Sequence, residues 1–182
     1  MTNQRVFGVT GWKNSGKTTL VCELVAEITR RGFSVSTVKH AHKTFEMDHE
    51  GRDSYRHRAS GATEVAVSSK MRWAVLHELR GAEEPALPEM LARLCPVDLV
   101  LIEGFKREAH PKIECRRTEA RSQEPIVSLG GSADDTGIVA IARDFPVETD
   151  LPDFDINDIK GIADFILDHV GLTEMRQSAR SS

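Results

Sequence analysis

The stretch that decides the fold is Gly11-Trp12-Lys13-Asn14-Ser15-Gly16-Lys17-Thr18, a full match to the spacing G-x-x-x-x-G-K-[ST]. Its residue types follow from what a phosphate chain requires. Glycines let backbone N–H groups turn inward and approach phosphate oxygens. Lys17 reaches the β- and γ-phosphates, and the Thr18 hydroxyl can ligate Mg²⁺. Context separates this match from a chance Gly/Ser turn. The β-branched run RVFGVT at residues 5–10 leads into it, and Leu20, Val21, Leu24, Val25 and Ile28 follow at helical spacing. A helix opening at Lys17 adds the positive end of its dipole to the same place. The segment reads as strand, phosphate-cradling loop and helix.

Outward from the loop, short β-rich runs alternate with helical segments, the pattern of an α/β fold with a mostly parallel sheet. The first helix is expected over residues 17–31, with Gly32 as its stop, and a second strand over 34–39 (SVSTVK). Residues 40–51 have no periodicity and read as a polar, His-rich loop. A short helix is expected over 53–59, then two strands at 64–69 and 72–77 joined by a turn at Ser69-Lys70. A helix lies within 83–94. Residues 97–102 (VDLVLI) form an almost unbroken apolar run, as a strand buried on both faces should. Further strands are expected at 112–116, 125–128 and 137–142, and a last helix capped by Asp155 runs through His169. The expected architecture is a three-layer α/β/α P-loop NTPase with a strand-pair extension. Residues 1–172 form its single nucleotide-binding domain and 173–182 a polar tail.

Composition bounds the function classes. The 182 residues carry 24 Lys+Arg against 28 Asp+Glu, a formal charge of −4, with 40% hydrophobic residues. That length suits one domain with a sizeable core. A mildly acidic chain lacks the broad basic field of a nucleic-acid-coating protein. No apolar run approaches membrane-spanning length, and the first residues carry no apolar signal segment. Cys22, Cys95 and Cys115 are widely spaced, form no CxxC pair and read as reduced thiols. The expectation is a cytoplasmic protein with no membrane and no nucleic-acid partner.

Two further stretches carry chemistry. Glu103 ends the apolar strand, and strand-end carboxylates of α/β sheets project into the crevice where ligands sit. It can hold a Mg²⁺-bound water or orient the attacking one. Asp98, at the opposite end, reads as structural, while Lys106 can face the site or solvent. In the His-rich loop, Lys39-His40-Ala41-His42 precedes Asp48-His49-Glu50-Gly51. The Asp-x-x-Gly form can sense a γ-phosphate or Mg²⁺, with Gly51 giving a backbone N–H and Asp48 a carboxylate toward the metal. A solvated loop and a transition-metal site on His40, His42 and Asp48 are the other two readings. Asp144, after a late strand, stands where one carboxylate could accept guanine N1–H and N2–H₂ together; an Asn-Lys-x-Asp element is absent.

Taken together, Gly16-Lys17-Thr18-Thr19-Leu20, Val38-Lys39-His40-Ala41-His42 and Asp48-His49-Glu50-Gly51-Arg52-Asp53-Ser54 resemble the MobB family. These are the GTP-binding adapters of molybdopterin-guanine dinucleotide biosynthesis. Arg72-Trp73-Ala74, Leu101-Ile102-Glu103-Gly104-Phe105-Lys106 and Ile141-Ala142-Arg143-Asp144 match as well, in the same order. The resemblance implies GTP with Mg²⁺, weak intrinsic hydrolysis and a homodimer. It further implies work beside the guanylyltransferase that joins GMP to molybdopterin. Carried onto this chain, the nucleotide contacts are Asn14, Ser15, Gly16, Lys17, Thr18 and Thr19, with Thr18 and Glu103 toward Mg²⁺ and Asp48 toward the switch region. Two other functions fit a P-loop here: a metal-insertion GTPase using the histidine loop, and a small-molecule kinase with Arg116, Arg117 and Arg121 as a lid.

Overall fold

The computed structural model describes residues 4–41, 45–126 and 136–173. The chain divides into two compact units, one of residues 1–40 with 93–182 and one of residues 41–92.

The larger unit is built on a six-stranded sheet. Its strands are β1 (Val6–Gly11), β2 (Val35–Lys39), β5 (Leu99–Glu103), β6 (Lys112–Arg116), β7 (Ile138–Arg143) and β8 (Asp153–Asp155), in the order β2-β5-β1-β6-β7-β8. Every pairing in it is parallel. All five residues of β5 are buried, which explains its unbroken apolar sequence. Side chains alternate across each strand. Phe7, Val9, Leu99, Leu101, Ile113, Cys115, Ala140 and Ala142 join the core beneath α1 (Lys17–Arg30) and a C-terminal helix at Ile159–His169. The Phe7 ring meets Phe165 and His169 edge-on, with centroids 6.3 and 5.7 Å away. Leu24 on α1 is wholly buried, and truncating such a leucine to alanine costs about 2–5 kcal/mol. Because all six strands run the same way, their carboxyl ends gather at one edge of the sheet, and the loops that leave them can share a site.

The smaller unit holds α2 (Asp53–Ala59), the antiparallel pair β3 (Glu64–Ser68) and β4 (Trp73–His77), and α3 (Leu87–Ala92). Its hairpin turn is closed by Ser69, whose N–H donates to the Arg72 carbonyl at 2.9 Å. Arg58 organises the rest: its guanidinium donates to Glu78 Oε1 at 3.0 Å and Glu46 Oε2 at 3.1 Å.

Most expected elements are present, and the departures have local causes. Asp155 does not cap the last helix, which we label α4. It closes β8 and takes the Asn157 N–H at 2.8 Å, while Asp158 caps α4 by accepting from Gly161 N at 3.0 Å. An Asx turn thus occupies the first Asp, and helix begins only after the second. The short strand β8 follows Pro152 and has three residues, too few for a periodic signal. Pro125 and Ile126 are not strand; Val127 and Ser128 lie outside the described residues. The buried Ile126 N–H goes instead to Glu114 Oε1 at 3.1 Å, so a side chain replaces the ladder partner. The helix expected within 83–94 is confined to Leu87–Ala92. Asp98 is structural as expected, its Oδ2 accepting from the Ser34 N–H at 2.7 Å and hydroxyl at 2.6 Å.

Candidate functional site

The loop between β1 and α1 has the backbone of a phosphate cradle. Gly11 leaves β1 at φ +148°, and a Cβ there would overlap Ser15 Oγ and stand 2.6 Å from the Cys115 carbonyl oxygen. Only glycine fits. Asn14 and Gly16 both have positive φ, at +66° and +81°, curling the backbone inward before α1 begins. No side chain caps α1, and its first turn holds no acidic residue. The N–H groups at its start are therefore unpaired by any cap and face the dipole's positive end, the condition for binding an anion.

Lys17 folds back into this loop, its Nζ donating to the Trp12 carbonyl at 2.6 Å. Burial holds its amine below the ordinary lysine range, aided by the Lys39 ammonium and opposed by Cys115 and Glu103. An anionic ligand would relieve that cost by giving the charge a partner. Beside it, the Thr18 hydroxyl donates to Glu103 Oε1 at 2.8 Å. The ammonium of Lys39, the last residue of β2, donates to Thr18 Oγ1 at 3.2 Å and lies 3.0 Å from Glu103 Oε1. A positive charge thus rests on the two oxygens expected to serve Mg²⁺. Hard oxygen donors suit that ion, and the donor set present fits it.

Around the loop stand further cations. Lys106 Nζ lies 4.0 Å from the centroid of the Trp12 ring, so it faces the loop. Burial, with the charge of Lys17, depresses its pKa. Trp12 itself is fixed by its Nε1–H, which donates to the Glu124 carbonyl at 2.6 Å. Arg117 packs against Gly16, its Cδ 3.0 Å from where a Cβ would stand. Arg117 also donates from Nε to Asp144 Oδ2 at 3.1 Å, and Asp144 Oδ1 takes the Thr118 N–H at 2.8 Å. Burial pushes the Asp144 carboxyl upward, but these donors outweigh it and keep the group ionised at lower pH than usual.

Of the sequence-predicted residues, Ser15, Gly16, Lys17, Thr18 and Glu103 come together with Asn14 and Thr19 at the carboxyl edge of the sheet, and Asp144 joins them through Arg117. Asp48 and Gly51 belong to the smaller unit. There the buried Asp48 accepts from the Ser54 hydroxyl at 2.9 Å and lies 3.8 Å from Arg58 Nε. Gly51 has φ +91° and open space around its Cα. The His40 ring packs at a tilt against Phe105 with centroids 4.9 Å apart, and His42 lies outside the described residues. Among the described residues no three His, Cys, Asp or Glu side chains are grouped to hold a metal. Of the three arginines of the supposed lid, two side chains have local partners: Arg116 donates to the Gln123 carbonyl at 2.7 Å and Arg117 holds Asp144, while at Arg121 it is the backbone N–H that bonds the Lys13 carbonyl, at 2.9 Å. Arg117, expected only as part of a lid, instead holds Asp144 beside Gly16, and Lys39 carried no assigned role in the sequence. Lys39 stood in view as the last residue of a strand.

A parallel sheet with this loop between its first strand and first helix, and a Thr–carboxylate pair beside it, defines a P-loop α/β protein. Comparison with known proteins narrows the class. The family model for MobB, "Molybdopterin guanine dinucleotide synthesis protein B", matches residues 6–144, and the chain belongs to that family. The chain is 38% identical over 170 residues to the molybdopterin-guanine dinucleotide biosynthesis adapter protein of Haemophilus influenzae, with 91% of this chain and 90% of that protein covered. Against the Escherichia coli adapter protein it is 36% identical, covering 86% and 88%. Among solved structures, the MobB homolog from Bacillus stearothermophilus superposes with a TM-score of 0.65 at 30% identity, covering 91% of this chain and 97% of that one. A molybdopterin-guanine biosynthesis protein B structure gives 0.68 at 26% identity, covering 90% and 98%. No helix among the described residues is long and apolar enough to cross a membrane.

Proposed function

We propose that this chain is a GTP-binding adapter of molybdopterin-guanine dinucleotide biosynthesis, assisting attachment of GMP to molybdopterin in the cytoplasm beside the guanylyltransferase. The observation that carries the reading is the uncapped start of α1 facing Lys17, with the Thr18–Glu103 pair 2.8 Å apart beside it, in a chain whose relatives bear the adapter name. In this reading Asn14, Ser15, Gly16 and Thr19 hold phosphates through the backbone and side chains around the loop. Lys17 neutralises the β- and γ-oxygens. Thr18 and Glu103 hold Mg²⁺, which supplies charge neutralisation on the phosphates. Asp144, oriented by Arg117 and Thr118, reads guanine. Hydrolysis is slow in this reading, as the family resemblance implies.

The same reading includes a homodimer. Trp73 is 71% exposed and Val75 48% on β4, opposite Ser68 and Ala66 of β3, and the pair stands as a two-stranded sheet. An isolated hairpin with an apolar face is marginal in water, and a second copy would cover it. The histidine-loop metal site and the arginine lid gain no support from the residues above. The test is reconstitution with the guanylyltransferase, molybdopterin and GTP. Adding the chain should raise the yield of the dinucleotide, and Lys17→Ala should not; equal yield with and without the chain would refute the role.

A further inference from the structure

Lys39 is placed by sheet topology rather than by the P-loop. It ends β2, and β2 pairs with β5 so that Lys39 is the direct partner of Glu103. That register sets its ammonium 3.0 Å from Glu103 Oε1 and 3.2 Å from Thr18 Oγ1. Its side chain is 56% exposed, so it can swing into solvent without disturbing the core. Lys17 is not available for this place: it is bonded to the Trp12 carbonyl.

We propose that Lys39 is a built-in counter-cation of the nucleotide site, standing on the Thr18–Glu103 oxygens until a divalent ion takes them. The inference rests on the P-loop reading above and adds a competition to it. An ammonium and a divalent cation cannot share two oxygens: Mg²⁺ needs its ligands at about 2.1 Å, and two positive charges at that range repel strongly. Lys39 therefore leaves as Mg²⁺ arrives. Two consequences have opposite sign. Without divalent ions, Lys39 supplies positive charge near the phosphates and supports nucleotide binding. With Mg²⁺, the same side chain is a competitor whose removal favours the metal. The ratio of nucleotide affinity with Mg²⁺ to that in EDTA is thus held down by Lys39.

The experiment measures that ratio by calorimetric titration of the full chain with a non-hydrolysable GTP analogue, in wild type, Lys39→Met, Glu103→Gln and the double variant. A partly exposed ion pair of this kind is worth up to about 1 kcal/mol, so Lys39→Met should raise the ratio about fivefold. The rise should vanish in the Glu103→Gln background, because the oxygen contested by Lys39 and the metal has lost its charge. Lys39→Gln should behave as Lys39→Met, which separates loss of charge from an effect of side-chain shape. An unchanged or lowered ratio in Lys39→Met, or the same rise without the Glu103 carboxylate, would overturn the inference. Those results leave the P-loop reading standing. Failure of wild type to bind the analogue in either buffer would instead overturn that reading and the inference with it.

Discussion

The Thr18 hydroxyl donates to Glu103 Oε1 at 2.8 Å, tying the first turn of α1 to the carboxyl end of β5. These residues are 85 apart in sequence, yet β5 lies next to β1 in the sheet, so the loop that follows β1 opens directly over the end of β5.

Glu103→Gln keeps the shape of this contact and removes its charge. Charged hydrogen-bonded partners contribute about 1.5–3 kcal/mol, so the gain in nucleotide affinity on adding Mg²⁺ should fall by at least about tenfold, while affinity in EDTA changes little. Titration of both proteins with and without Mg²⁺ checks this. An undiminished Mg²⁺ effect would remove Glu103 from the metal site.

Gly11→Ala tests the backbone of the cradle. The added methyl meets Ser15 Oγ and the Cys115 carbonyl in a backbone conformation that L side chains rarely adopt. Overpacking of this kind costs about 1–3 kcal/mol, and the loop should lose its phosphate geometry at the same time. Urea unfolding and nucleotide titration should both report a defect. A stable variant that binds normally would show that the loop tolerates another path.

His110 gives the fold an acid-sensitive element. Burial first, and then the charge of Lys112, lowers its pKa from 6.5 to about 4, and neither ring nitrogen has a hydrogen-bond partner among the described residues. The unfolded chain takes up a proton near pH 6.5 and the folded chain only near 4. The stabilising contribution of the neutral ring is therefore complete above pH 6.5 and lost as pH falls toward 4, on the order of 2 kcal/mol. His110→Gln should lose less stability than wild type over that interval in urea melts at stepped pH. Parallel curves would mean the ring is protonated in the folded state.

Trp12 offers a direct signal of ligand binding. Its ring lies under Lys106 and its Nε1–H is held by Glu124, and Trp73 is the chain's other tryptophan. In Trp73→Phe, saturating nucleotide should change the remaining emission, because phosphate at Lys17 draws Lys106 from the ring. Unaltered emission at saturation would place the ligand elsewhere.

Local pattern made much of this legible. The P-loop, α1, α2 and the buried β5 each announce themselves within a dozen residues, since spacing and hydrophobic period are properties of a short window. Glu103 was readable because a strand end is a place as well as a residue. Lys39 was not, because its role depends on β2 lying beside β5, and strand order is set by packing far along the chain. The same holds for Arg117, whose partners Gly16 and Asp144 come from two other elements. At Asp155 and Asp158 two equally good caps stood three residues apart, and the Asx turn after β8 decided between them.

In the proposed function the loop at Lys17 holds a guanine nucleotide. Calorimetric titration of wild type and Lys17→Ala with GTP and ATP, each with Mg²⁺, tests it most directly. Wild type should bind GTP at least about tenfold more tightly than ATP, a difference of about 1.4 kcal/mol, and Lys17→Ala should bind neither. Preference for ATP, or unchanged GTP affinity in Lys17→Ala, would contradict the account.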